Sequence, residues 1–335
     1  MLSNTSTAAV PHRSRILRMP SLDPFHGAHQ GVLVVIIGPT AVGKTEIAIC
    51  LAERLNGEIV SADSTLFYQG MDIGTAKPGV SERNRVPHHL IDIALPDQNW
   101  SLAIFQQAAH QVIRSIQQRG KLPFLVGGTG QYVRAVIEGW ELPRVQPDSR
   151  LRQALEGWAG QISALGLHNR LALLDPVAAD EIDPTNLRRT VRALEVILSS
   201  GQRFSVQKRR SGSPYRTLQF GLRRPRSELY ERIDRRIDQM ISNGLIDEVK
   251  GLLTRGYSPD LPTLSSIGYR EIIAYLQGTM TLEEAVVQMK RRTRVFVRRQ
   301  ANWFKEDDPR IKWFTVGEET VNQMETVIRQ WQALL

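Results

Sequence analysis

One cysteine, Cys50, is all the chain has among 335 residues, which excludes an internal disulfide framework and any cysteine-based zinc site. A reducing, cytoplasmic setting is the expectation. No apolar run approaches the roughly 18 residues that a membrane span needs, so no membrane partner is expected. There is no internal repeat. Low complexity is confined to the first 30 residues, rich in Ser, Thr and Pro with Arg13, Arg15 and Arg18 but no apolar signal core. Pro11 and Pro20 interrupt any amphipathic helix there. The expectation for residues 1–30 is a disordered tail and not a secretory signal, although a transit peptide shares the composition. With 41% hydrophobic and 23% charged residues, the chain as a whole has the balance of a soluble globular protein with a sizeable core.

Charge of one sign is in excess, with 43 Lys and Arg against 34 Asp and Glu, for a net charge of +9. The excess is C-terminal: residues 186–236 hold 14 basic and 4 acidic side chains, and residues 290–305 hold seven basic and none acidic. Such clustering points to a polyanionic partner. His88 and His89 suggest a metal, but no third ligand is spaced with them, and a structural role is the simpler reading.

Val32 to Ile37 is a continuous β-branched run ending at Gly38, the pattern of a strand buried on both faces. A helical pattern from Glu46 to Leu55, a strand at Glu58 to Ala62, a helix at Ser101 to Arg119 and a strand at Phe124 to Val126 follow. Alternating strands and helices predict an α/β fold with a parallel sheet. From Glu141 prolines punctuate short helical pieces, Leu151 to Trp158 and Leu165 to Leu174. We expect a small all-helical insertion at 141–186 in a core made of 31–140 and 187–335. The second part of that core should contain a helix at 186–199, a strand at Thr217 to Leu222, helices at 227–242 and 245–254, and a long helix from Thr281 to Lys305.

The segment Gly38-Pro39-Thr40-Ala41-Val42-Gly43-Lys44-Thr45 fits GxxxxGK[ST], with a strand before it and a helix after it. Glycines let backbone N–H groups wrap a phosphate chain, the helix N-terminus favours negative charge, Lys44 reaches the outer phosphates, and the Thr45 hydroxyl can hold Mg²⁺. This predicts a P-loop NTPase-like sheet. A P-loop ATPase also places an acid at the end of another strand. The strand at 124–126 instead runs into Gly127-Gly128-Thr129, while Asp63 follows the strand at 58–62. The carboxyl ends of neighbouring strands share one crevice, so Asp63 and Thr129 should lie beside the phosphate loop. A carboxylate there can take a proton from an acceptor nucleophile; a capping or turn aspartate remains the alternative. The residues thus describe a P-loop group transferase without naming the group.

With these pieces in order, the sequence resembles the tRNA dimethylallyltransferase family. The likeness spans about residues 33–305 and rests on GPTAVGKT at 38–45, ADS and YQGMDIGTAKP within 62–78, PHHLID at 87–92 and GGTGQY at 127–132. It continues through DPVAADEI at 175–182, RALEV at 192–196, SIGYREI from Ser266 and TRVFVRRQANWFK at 293–305. The resemblance implies transfer of a dimethylallyl group from dimethylallyl diphosphate to the N6 amine of the adenosine 3′ of the anticodon, with pyrophosphate leaving. It implies that Gly38 to Thr45 hold the diphosphate with Mg²⁺, that Lys44 stabilises the departing charge, that Asp63 accepts the amine proton and that Thr129 orients the amine. The target nucleotide would have to flip out of the anticodon loop.

The family's tRNA-contact positions map onto Asp63, Ser64, Thr65 and Leu66, onto Thr129 and Arg150, and onto Arg188, Arg189, Thr190, Val191 and Arg192. Arg232 and Arg236 match the family's RxxxR and would clamp the diphosphate; as i,i+4 partners of Glu228 or Glu231 they would instead be an ordinary charged face. On the long C-terminal helix Val286, Met289, Phe296 and Trp303 share an apolar face. Arg291, Arg294, Arg298 and Lys305 recur on another, free of interleaved acids and suited to RNA phosphates. Thr65-Leu66-Phe67, Arg188, Val297-Arg298 and Asn302 depart from the common family pattern. A monomer of the bacterial form is expected. A P-loop kinase, a prenyltransferase of free adenine nucleotides and a non-catalytic RNA-binding P-loop protein are the competing readings.

Overall fold

The structure is a computed structural model and describes residues 31–335 apart from 144, 146, 147, 208 and 211; the tail expected at 1–30 lies outside the described residues. Eight strands are present among them: β1 Gly31–Ile37, β2 Gly57–Ser61, β3 His88–His89, β4 Leu122–Gly127, β5 Trp140–Glu141, β6 Arg209–Arg210, β7 Tyr215–Arg223 and β8 Ile311–Thr315. Six of these form one sheet in the order β3-β2-β4-β1-β7-β8, with every pairing parallel.

The sheet is apolar on both faces because β1 alternates between two cores. Val34 and Ile36 join Phe124, Phe220 and Leu222 on one side. Helices Lys44–Arg54, Arg226–Ser242, Leu282–Gln300 and Thr320–Gln332 supply the rest of that layer through Leu51, Ile233, Met289 and Ile328. Leu33, Val35 and Ile37 face the other side, where helices Leu102–Gln118 and Gly130–Ile137 contribute Phe105, Ile113 and Val133. An odd-even split along one strand is what a doubly covered parallel strand requires.

Three differences from the sequence expectation bear on the site. The sheet gains β3 and β8 at its edges. The long helix stops at Gln300, where Ala301 caps it, and does not reach Lys305. A third apolar cluster joins Leu155 and Leu167 of helix Ser149–Leu174 and Ala179 of helix Pro176–Glu181 to Val191 and Leu194 of helix Leu187–Ser200, with Phe204 packed on it. The boundary expected at 186 therefore falls inside a continuous helical cluster. The chain enters this cluster after β5 and leaves it before β6, and the two strands pair antiparallel.

Glu58 shows how the β3 edge is held. Its carboxylate, 4% exposed, lies 2.7 Å from His89 Nε2 and accepts from Arg119 at 2.6 Å and Lys121 at 2.9 Å. Burial raises its pKa, but the hydrogen bonds from Lys121, His89 and Arg119 outweigh that and hold it at about 2. Because the folded value lies below the unfolded one, the stabilisation is complete above the ordinary value of 4.5 and disappears as pH falls toward 2. Glu58→Gln is expected to cost about 3 kcal/mol at pH 7 in urea titrations, with the deficit shrinking below pH 4. His89 is thus part of this ion-pair network, and His88 Nδ1 lies 2.8 Å from the Val86 carbonyl.

Candidate active site

Strand order brings four chain turns together. The phosphate loop leaves β1, Asp63 follows β2, Gly128 and Thr129 follow β4, and Arg224 follows β7, all at the carboxyl ends of strands adjacent in the sheet. A cleft of about 720 Å³ opens over them. It is lined by Thr40, Ala41, Gly43, Lys44 and Thr45, by Asp63 to Leu66, by Thr129, and by Arg232 and Arg236. Gly38, Pro39 and Val42 do not line it. They build the loop's turn, with Val42 fully buried and the Gly38 and Pro39 carbonyls accepting from Lys44 Nζ at 3.0 and 2.8 Å.

The loop is bent as a phosphate cradle must be. Gly38, Ala41 and Gly43 take positive φ values of 156°, 67° and 110°. Glycine is required at 38, where a Cβ would stand 2.7 Å from the Leu222 carbonyl. Two guanidinium groups fix the outside of the turn: Arg224 donates to the Val42 carbonyl at 2.9 Å and Arg232 to the Ala41 carbonyl at 2.8 Å. Glu228 pairs with Arg224, and Arg236 donates to the Thr75 carbonyl at 3.4 Å. Burial lowers the Lys44 ammonium to about 8, with the Asp63 carboxylate opposing and the Arg236 guanidinium adding to the effect. Burial also draws Arg236 below its ordinary value, against the pull of Asp63. The cleft lining carries four cations, Lys44, Arg232, Arg235 and Arg236, and three carboxylates, Glu46, Asp63 and Glu82, of which Asp63 acts on both Lys44 and Arg236.

Asp63 is held by its own turn. Its Oδ1 accepts from Thr65 N at 3.0 Å and from Thr65 Oγ1 at 2.7 Å. Two residues on, Phe67 is fully buried against Trp100, Phe105 and Tyr132, with ring centroids 5.3, 5.6 and 5.8 Å away. The departure Thr65-Leu66-Phe67 thus has a local role: one residue orients the aspartate and another anchors the loop. Opposite, Glu248 accepts from the backbone N–H groups of Asp72, Ile73 and Gly74 and from the Tyr269 hydroxyl, which fixes the wall carrying Thr75 and Ala76. Gly74 has to be a glycine, since a Cβ would lie 2.5 Å from the Tyr269 ring.

Sequence reasoning missed the apolar side of the cleft, formed by Ile233, Ile237, Met240, Ile267, Met289 and Phe296. Met289 and Phe296 read as part of one apolar helix face, but the other four residues come from two further segments, so no local pattern reveals the wall they form together. The other expected contact residues lie outside the cleft. Arg150, Arg188 and Arg189 are exposed on the helical unit, while Arg192 pairs with the buried Glu195. Thr190 and Val191, 0% and 3% exposed, turn into that unit's interior, so their side chains offer no RNA contact in this conformation. Arg294, expected on a stripe free of acids, forms an ion pair with Asp234 at 2.5 Å and lies over the Tyr230 ring. Lys290 and Arg292 likewise pair with Asp238 and Glu271. The acids sit on neighbouring helices and not within the stripe. Arg291 and Arg298 remain exposed.

A phosphate loop, a carboxylate at the next strand end and an apolar wall within one cleft of a parallel α/β sheet define a P-loop group transferase with a P-loop NTPase-like fold. The IPP transferase family model matches residues 66–307, and the chain belongs to that family. It is 50% identical over 299 residues to a tRNA dimethylallyltransferase of a Roseiflexus species, covering 89% of this chain and 98% of the relative. A tRNA dimethylallyltransferase of Chloroflexus aggregans is 52% identical over 273 residues, covering 82% and 92%. Among solved structures, a tRNA isopentenylpyrophosphate transferase of Bacillus halodurans superposes with a TM-score of 0.67 at 44% identity, covering 90% of this chain and 96% of that one. A eukaryotic dimethylallyltransferase acting on tRNA gives a TM-score of 0.75 at 25% identity, with coverages of 89% and 78%.

Proposed function

We propose that the protein transfers a dimethylallyl group from dimethylallyl diphosphate to the N6 amine of the adenosine 3′ of the anticodon in tRNA. The observation that carries the substrate pair is the two-sided cleft: an anion cradle of loop amides, Lys44, Arg232 and Arg236 adjoins an apolar wall of Ile233, Ile237, Met240, Ile267, Met289 and Phe296. A short branched hydrocarbon on a diphosphate has these two ends. The names of the relatives supply the acceptor, tRNA.

In this reading the C1–O bond of the donor breaks as the N6–C1 bond forms. Lys44 and the loop amides stabilise the charge that moves onto the diphosphate, and the arginines hold it in place as pyrophosphate. The exocyclic amine is a weak nucleophile because its lone pair is delocalised into the ring. Asp63 takes its proton, and the Thr129 hydroxyl orients it. The Thr45 hydroxyl, lining the cleft beside the cradle, is an oxygen ligand of the kind Mg²⁺ prefers. That ion, shared with the diphosphate, would neutralise leaving-group charge. The apolar wall keeps water from the donor carbon.

The helical unit, with Arg150, Arg188 and Arg189 exposed on it, and the exposed Arg291 and Arg298 are assigned to the phosphates of the anticodon stem-loop. Such contacts position the RNA and do not read its sequence. Incubating the purified protein with Mg²⁺, dimethylallyl diphosphate and unmodified tRNA, with AMP and ATP as parallel acceptors, is expected to yield prenylated adenosine from tRNA alone by nucleoside mass spectrometry. Product from AMP or ATP in place of tRNA would overturn the acceptor assignment.

A further inference from the structure

The basic helix ends on a side chain that turns inward. Arg298 and Arg299 are exposed, whereas Gln300 is 8% exposed and its carboxamide is used at both ends. Oε1 accepts from Thr40 N, in the phosphate loop, at 2.9 Å. Nε2 donates to the Gly128 carbonyl, one residue before Thr129, at 3.0 Å. The partners dictate that orientation, since a flipped amide would set N–H against N–H and oxygen against oxygen. Gly128 leaves room for it: a Cβ there would lie 2.5 Å from Nε2.

The next residues fasten the same helix end to the same loop. A Cβ on Gly130 would stand 2.2 Å from Trp303 Cγ, and Arg134 donates to the Trp303 carbonyl. The β1–β4 ladder runs out at Ile37–Gly127, just before the two loops separate. Beyond that point the glutamine bridges them. One loop carries the cradle for the donor and the other carries Thr129.

We propose that Gln300 is a positioning residue for group transfer, setting the spacing between the phosphate loop and the Thr129 loop from the end of the helix that presents Arg291 and Arg298. This inference rests on the dimethylallyl transfer proposed above. A carboxamide offers one donor and one acceptor at the required separation. Leucine fills the space but leaves the Thr40 N–H and the Gly128 carbonyl unpaired. Ionised glutamate satisfies Thr40 and turns a second acceptor on Gly128.

The test compares the wild-type chain with Gln300→Leu and Gln300→Glu at temperatures well below their melting midpoints. Gln300→Leu is expected to lower kcat about a hundredfold, the usual effect of an ångström-scale misplacement, with KM for donor and tRNA within about threefold of wild type. For Gln300→Glu, the ratio of its kcat to that of wild type should rise as pH falls from 8 to 6, because the protonated acid regains the donor that Gly128 needs. Hydrogen exchange over 38–45 and 127–131 should be faster in Gln300→Leu, a readout independent of turnover. Unchanged exchange, an unimpaired kcat, or a loss confined to KM with a pH-independent Glu ratio would overturn the proposal. A wild-type chain that fails to prenylate tRNA would strike the activity itself, whereas an active wild type with an equally active Gln300→Leu strikes only the role of the glutamine.

Discussion

Asp63→Asn is expected to lower kcat for tRNA prenylation by between about 10² and 10⁴, the range for loss of a positioned general base, while tRNA binding at fixed salt stays within about threefold of wild type. Asparagine is the informative replacement because its Oδ1 can still accept from Thr65 N and Thr65 Oγ1, the two bonds that set the side chain. Loop geometry is therefore kept and the ability to take a proton is lost. Asp63 also stands among Lys44, Arg232 and Arg236, and its charge opposes the lowering of the Lys44 and Arg236 pKa values. Neutralising it removes a negative charge but also lets the Lys44 pKa fall further, so the comparison belongs at about pH 6, where Lys44 keeps its proton and KM for dimethylallyl diphosphate should fall or hold. A lower kcat with an undiminished donor affinity separates proton transfer from substrate holding. If Asp63→Asn turns over within threefold of wild type in single-turnover nucleoside analysis, the amine proton leaves by another route.

What the sequence revealed and what it hid follow from how far apart the interacting residues lie. The phosphate loop is legible because its backbone conformation demands glycine at fixed places, and β1, β2, β4 and β7 are legible because strands covered on both faces are continuously apolar. Asp63 and Thr129 could be placed beside the loop because each follows a strand of an expected parallel sheet, and both line the cleft. The edge strand β3 has two residues and no periodicity to detect. In β8 the sequence Ile-Lys-Trp-Phe-Thr follows a charged stretch and takes its register only from β7.

The side-chain environment was harder to see. Arg294 read as free because Asp234 is 60 residues away in sequence, on a different helix. Gln300 gives no local signal at all: one glutamine on a helix becomes informative only when both loops that it bridges are in view. The same holds for the apolar wall, assembled from residues between 233 and 296 that lie on separate elements. The helical unit was visible through its prolines, but its closure through Val191, Leu194 and Phe204 depends on packing that proline spacing does not report.

Lys44→Met should move stability and catalysis in opposite directions. The ammonium sits in a largely desolvated pocket, held by the Gly38 and Pro39 carbonyls, with its pKa drawn from 10.5 to about 8. A lysine whose folded pKa lies below its unfolded one destabilises the fold at any pH where both states are protonated. That penalty is full below pH 8 and is relieved as pH rises from about 8 to 10.5, where the unfolded chain binds more protons than the folded one. A tenfold loss of proton affinity on folding corresponds to about 1.4 kcal/mol, and the two hydrogen bonds lost with the ammonium offset part of the gain. Lys44→Met is thus expected to be more stable at pH 7 by about 1–2 kcal/mol in urea titrations, with the advantage gone by about pH 10. Its kcat/KM for dimethylallyl diphosphate should nonetheless fall by about 10³, as when an oriented donor to a developing anion is removed. In the wild type, kcat/KM should decline above about pH 8 as the free enzyme's Lys44 loses its proton, and pyrophosphate should raise the melting temperature of wild type more than that of the variant. A variant that is both less stable and fully active would show that the ammonium serves the fold. The opposite pair of results would show a charge kept at the expense of stability because the donor's diphosphate requires it.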